Sequence, residues 1–214
     1  PVNVIRLDIA EMREHSLYDR PYRVDETGQM WDERDKRPFS VAFSFSRFLV
    51  PFLTRGPALF VDCDFVFRQD VAKLFAEFDP MYAVQVVKHD HRPAGTMKMD
   101  GISQGQYNRK NWSSCVLWNV EHHANRSLTT HAVNTWSGRD LHAFQWLPDC
   151  YIGSLNEKWN WLADASPTCG GNPDDIGAIH YTSGGPWFAH MQDCPFADVW
   201  LHERALMRRA MAEA

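Results

Sequence analysis

The run Ala58-Leu59-Phe60-Val61 is continuously apolar, follows Gly56-Pro57, and empties into Asp62-Cys63-Asp64. Such an uninterrupted run suits a strand covered on both faces, the usual condition of strands in parallel α/β sheets. A strand of this kind carries charge to the C-terminal edge of its sheet, where α/β proteins bind ligands. The i, i+2 spacing keeps both carboxylates on one side of an extended chain. Two carboxylates so close repel each other, and a divalent cation relieves that repulsion. The competing reading is a solvated strand-to-loop turn, where acidic residues are common.

The neighbouring pattern alternates strands with helices. Val2-Asn3-Val4-Ile5-Arg6-Leu7 reads as a strand, and a helix is expected over 10–15 within a charged stretch of little periodicity, 8–40. Phe45, Phe48, Leu49 and Phe52 follow the spacing of a buried helix face, with Pro51 expected to kink or end it. Asp70 caps a helix bearing Val71, Leu74, Phe75 and Phe78. Strands are expected at 82–87, 114–120 and 179–181. Helices are expected over 128–145, broken near Ser137-Gly138, and over 196–212. This order favours one α/β domain spanning 1–214, a mixed, mostly parallel sheet flanked by helices, with 196–214 as a terminal helix.

Composition narrows the function. A net charge of -5 offers no global attraction to a polyanion, and the Arg204, Arg208, Arg209 cluster sits beside Glu203 and Glu213, as on a solvated helix face. Nucleic acid is therefore not an expected partner. The richest apolar stretch, 41–61, is interrupted by Arg47, Pro51, Arg55, Gly56 and Pro57, so no transmembrane segment is expected. Cys63, Cys115, Cys150, Cys169 and Cys194 are scattered, odd in number and without a CxxC pair, which favours a reducing cytoplasm. The sequons at Asn111 and Asn125 are chance matches there.

The second signal is His180-Tyr181-Thr182-Ser183-Gly184-Gly185-Pro186-Trp187. A lone His after a short strand is more often packed than a ligand, but the Gly-Gly pair lets backbone approach a ligand closely. Taken together, these pieces resemble glycosyltransferase family 8, the glycogenin-like group with a GT-A fold. Ser46 to Leu53 is similar to its Arg-x3-Pro-x-Leu helix, and Ala58 to Asp64 to its Asp-x-Asp strand. Ser113-Ser114-Cys115-Val116-Leu117 is similar to its small-residue strand, and Leu147-Pro148-Asp149 with Trp159-Asn160 to its acidic and Trp-Asn segments. His180 to Trp187 resembles its closing His-x-x-Gly-x-x-Lys-Pro-Trp motif.

The resemblance implies retaining transfer of a hexosyl-type sugar from a nucleotide-sugar donor, usually a UDP-sugar. It implies that Asp62, Asp64 and His180 share Mn²⁺ or Mg²⁺ on the pyrophosphate. On the same basis Arg47, Cys63, Ser113, Ser114, Gly184, Gly185 and Trp187 line the donor site, and Asp149 is the acidic group near the transferred sugar. The acceptor, whether glycan, lipid-linked or small molecule, is not specified, although the loops 88–111 and 161–176 could each line it. Two departures stand out. The family's phosphate-binding Lys is replaced by Gly185, with Lys88 as the candidate substitute against a plainly solvated Lys. The family's first nucleotide-gripping strand has no counterpart, so the natural protein is expected to extend roughly 20–30 residues upstream, one strand plus helix.

Two alternatives stay open. A haloacid-dehalogenase-type phosphatase would use Asp62 as nucleophile, with Asp174 and Asp175 as late metal ligands. A catalytically inactive carbohydrate-binding scaffold would keep the fold without turnover.

Overall fold

The computed structural model describes residues 2–89, 97–98, 102–103, 109, 111–164 and 175–213. In chain order its strands are β1 (Tyr22–Val24), β2 (Met30–Asp32), β3 (Pro38–Phe39), β4 (Pro57–Val61), β5 (Phe65–Phe67) and β6 (Val84–Val86). They continue with β7 (Met97–Lys98), β8 (Ile102–Ser103), β9 (Cys115–Asn119), β10 (Ile152–Ser154), β11 (Trp161–Leu162) and β12 (Ala178–His180). The α-helices are α1 (Ile9–Glu14), α2 (Val50–Leu53), α3 (Val71–Phe75), α4 (Thr130–Thr135), α5 (Gly138–His142) and α6 (Ala197–Glu213). The chain forms two compact units, Pro1–Phe60 with Phe78–Ser154, and Val61–Glu77 with Leu155–Ala214.

The first unit holds a sheet of order β10-β6-β9-β4. Its central strand, β6, is buried along its whole length, as its Val-Gln-Val sequence between apolar neighbours requires. It pairs parallel with β10, Val84 opposite Ile152, and antiparallel with β9, Val86 opposite Val116. Phe48, Leu49, Val133, Leu141 and Phe144 pack with these strands into one apolar core. Thr129 caps α4 and Ser137 caps α5, so the break expected near Ser137-Gly138 is a second helix start.

Three local expectations are corrected. Residues 2–7 form no strand and pair with nothing in a ladder; Val4 is 86% exposed, since β-branched composition alone supplies no partner. Pro51 begins a helix rather than ending one. Ser46–Leu49 is a 3₁₀ turn, and Pro51 sits in the first turn of α2, where its missing N–H costs nothing. The charged stretch also contains an antiparallel sheet, β1-β2-β3, that periodicity did not reveal.

The second unit is built on β11-β12-β5. β12 runs parallel to β11 and antiparallel to β5, with His180 opposite both Leu162 and Phe65. Trp161, Ile179 and Tyr181 form its buried core, against which Val66, Phe196 and Trp200 pack. Asp70 caps α3 as expected, through its carboxylate and the Ala72 N–H at 2.9 Å. Among the described pairings β6–β10 and β11–β12 are parallel, whereas β1–β2, β2–β3, β5–β12, β6–β9 and β7–β8 are antiparallel. The fold is the expected mixed α/β, and these pairings are more often antiparallel than parallel. Continuous apolar runs report burial on two faces, not strand direction.

Candidate metal centre

Asp62 is the first residue after β4, and the chain then turns so that Asp64 leads into β5. The antiparallel β5–β12 ladder continues beyond its last strand pair, with Tyr181 N–H donating to the Asp64 carbonyl at 3.0 Å. That register sets His180 beside the two carboxylates. Asp62, Asp64 and His180 each offer a ligand atom within 4.8 Å of the others, and all three belong to the second unit. The Oδ1 atoms of both carboxylates are buried.

The imidazole is held on two sides. Phe65 stacks on it with ring centroids 4.4 Å apart and planes 18° from parallel. Its Nδ1 lies 2.9 Å from Asn160 Oδ1, an acceptor, and both residues are fully buried. Nε2 is buried without a hydrogen-bond partner and lies 3.4 Å from Asp64 Oδ1. With Nδ1 carrying the proton, Nε2 turns a lone pair toward a carboxylate oxygen. That contact becomes favourable once a cation shares both donors. Two carboxylates and one imidazole nitrogen suit an oxygen-preferring divalent ion that also accepts nitrogen, such as Mn²⁺, so the residues fit the metal the resemblance implies.

The other expected site residues take varied places. Cys63 is exposed between the aspartates. Gly184 has φ +111°, and a Cβ on Gly185 would lie 2.2 Å from the Trp187 ring. The close approach at Gly185 is thus made by an indole, whereas Gly184 faces Met191 and Phe188. Trp187 packs on Tyr181 and Trp200 and keeps an exposed edge.

In the first unit, Arg47 is buried, donates to the Ser113 carbonyl at 3.1 Å, and covers the Phe60 ring at 5.2 Å. Ser113 Oγ lies 2.6 Å from His142 Nδ1, and Ser114 Oγ donates to the Asn111 carbonyl at 2.6 Å, so both hydroxyls are engaged within the protein. Lys88 Nζ donates to the Ile152 carbonyl at 2.7 Å. Burial pushes its pKa down, opposed by the charge of Asp149. The Asp149 side chain is 88% exposed and ion-paired with Arg109. Asp175 is hydrogen-bonded to Gln69 and lies 3.6 Å from Lys158, while Asp174 and most of the loops 88–111 and 161–176 fall outside the described residues. Trp118, Trp159 and Trp161 are core residues.

Sequence reasoning noted Asn160 only within a Trp-Asn pair and gave Phe65 no role at the site. Both reach His180 through the β11-β12-β5 ladder, which no local pattern announces. Among the described residues no helix is long and apolar enough to cross a membrane.

No protein-family model matches the chain. Its structure is similar to the apo glycosyltransferase GlyE of Streptococcus pneumoniae TIGR4, with TM-score 0.53 and 18% identity over 74% of this chain and 42% of that one. It is also similar to the apo bifunctional glycosyltransferase WbbM, with TM-score 0.51 and 16% identity over 76% and 35%. The chain spans less than half the length of these structures, and the likeness shows a GT-A-like fold. In sequence it is 43% identical to Protein CDI of Arabidopsis thaliana over 206 residues, 95% of this chain and 74% of that protein. The chain belongs to the family of Protein CDI.

Proposed function

We propose that the protein is a divalent-metal-dependent glycosyltransferase that moves a sugar, with retention, from a nucleotide-sugar donor, a UDP-sugar, to an acceptor hydroxyl. One observation carries this reading: Asp62, Asp64 and the buried Nε2 of His180 converge in a chain whose fold is shared with glycosyltransferases. Family 8 is the group whose motifs the sequence follows.

Asp62, Asp64 and His180 would hold Mn²⁺, or less favourably Mg²⁺, because an imidazole nitrogen suits the softer ion. When bound, the ion neutralises the charge that gathers on the departing nucleoside diphosphate. Phe65 and Asn160 fix the imidazole before donor arrives, so little reorganisation is needed at the moment of transfer. Asp149, exposed and oriented by Arg109, is the proposed acidic group for the transferred sugar. The presence of His180 in the cluster favours this reading over the phosphatase one, which assigns that residue no role.

The test is a thermal-shift screen of nucleotide sugars with and without Mn²⁺, followed by donor turnover with the stabilising compound. A shift that requires both donor and Mn²⁺, with release of nucleoside diphosphate, is the expected result. Stabilisation without any turnover would identify a carbohydrate-binding scaffold. Phosphate release from phosphomonoesters without a sugar donor would identify the phosphatase.

A further inference from the structure

We propose that Asn160 is a positioning residue that locks His180 in the Nδ1–H tautomer, so that Nε2 keeps its lone pair for the cation shared with Asp62 and Asp64. The inference rests on the metal reading above and adds the residue that prepares the ligand.

A neutral imidazole has one proton for two nitrogens, and the hydrogen bond at one nitrogen decides the lone pair at the other. Here the deciding contact is 2.9 Å long, between two fully buried side chains. Asn160 Oδ1 can only accept, so Nδ1 must donate. Nε2 is left without a hydrogen-bond partner and faces Asp64 Oδ1 at 3.4 Å.

Rotation cannot undo the arrangement cheaply. Phe65 covers the ring face at 4.4 Å, and the backbone of His180 is paired on both sides, with Leu162 and with Phe65. Asn160 itself is fixed because it closes the 3₁₀ turn Glu157–Asn160 immediately before β11, and β11 pairs parallel with β12. The sheet thus carries ligand and orienting group on adjacent strands. Partners of this kind hold ligand rings in metalloproteins, and their loss costs about 10–100-fold in metal affinity.

The test uses the full chain. Nitrogen-15 NMR of EDTA-treated protein labelled at histidine reads the tautomer with no metal present. Mn²⁺ affinity is read separately, from the EPR signal of the free ion. Wild type should show His180 protonated at Nδ1. Asn160→Asp, whose carboxylate also accepts from Nδ1–H, should keep that tautomer and bind Mn²⁺ at least as tightly. Asn160→Leu should mix the tautomers and bind about 10–100-fold more weakly. A wild-type His180 protonated at Nε2 overturns the proposal even if Mn²⁺ binds, as does a folded Asn160→Leu variant with unchanged affinity. A wild type with the Nδ1–H tautomer that binds no Mn²⁺ overturns the metal reading while supporting the lock. Because the wild-type spectrum alone decides the tautomer, an unfolded Asn160→Leu variant does not rescue a wrong assignment.

Discussion

Arg20 brings a full charge into the interior of the first unit, and each nitrogen of its guanidinium has a partner. It pairs with buried Asp32, lies 3.9 Å from Asp35, donates to the carbonyls of Val133 at 3.1 Å and Trp136 at 2.6 Å, and stacks over Phe45 at 4.0 Å. Such a group ties segments more than a hundred positions apart, but its value lies in completeness. Arg20→Met removes the cation and strands the Asp32 carboxylate, which should cost about 3–5 kcal/mol in urea unfolding. Adding Asp32→Leu should recover part of that loss, and a double variant as unstable as the single one would contradict this account. At the metal centre the same attention to charge predicts a kinetic effect. Asp64→Asn keeps the shape of the side chain and removes the charge that holds the cation against the developing diphosphate. Loss of about 3–4 kcal/mol of transition-state stabilisation lowers kcat by two to three decades, with a smaller loss in donor affinity. Full turnover by that variant at saturating Mn²⁺ would rule out the mechanism.

Among the elements, the β1–β2 hairpin shows how far the sequence could be read. Its strands are three residues each, too short for alternation to stand out among charges, yet the intervening Asp25-Glu26-Thr27-Gly28 carries the signal that length withheld. Asp25 accepts from the Thr27 hydroxyl at 2.7 Å, the Trp31 indole at 2.7 Å and the backbone N–H groups of Thr27 and Gln29. The Thr27 and Trp31 side chains, as the leading influences, hold its carboxyl down at about 2. The unfolded carboxyl takes its proton first, near 3.8, so the stabilisation is complete above that value and is lost as pH falls through about 2. The Trp31 indole N–H resonance should report this change, and a resonance flat from pH 4 to pH 2 would refute it.

The glycines after β12 were legible as a site of close approach, but not what approaches: at Gly185 it is the Trp187 ring, two positions downstream, and at Gly184 the side chains of Met191 and Phe188. Gly185→Ala should therefore cost about 1–3 kcal/mol in denaturant unfolding, and much less in a Trp187→Ala background. An equal cost in both backgrounds would assign the strain elsewhere. Asp62 and Asp64 were legible because strand and carboxylates are adjacent in the chain. His180 was legible only through its motif, and Asn160 hardly at all, since its role exists only once β11 and β12 pair.

For the whole molecule, what matters is where the ligands fall. The chain forms two compact units, and Asp62, Asp64 and His180 all lie in the second, the aspartates just before β5 and the histidine at the end of β12. An ion held by all three therefore binds only while that unit is folded, and mass action stabilises it by about 2.7 kcal/mol at a hundredfold excess over Kd. The β10-β6-β9 strands of the first unit contribute no ligand. Hydrogen exchange can separate the two, because amides that exchange through opening of a cooperative unit report the stability of that unit. With Mn²⁺ at that excess, amides of β5, β11 and β12 should slow by up to about 100-fold, the equivalent of that free energy, while those of β6 and β9 keep their rates. EDTA should reverse the change, and Asp64→Asn should abolish it. Equal slowing of β6 and β9 would mean that the ion stabilises both units together. No slowing in β5 and β12 would mean that the three side chains, however close, do not share a cation.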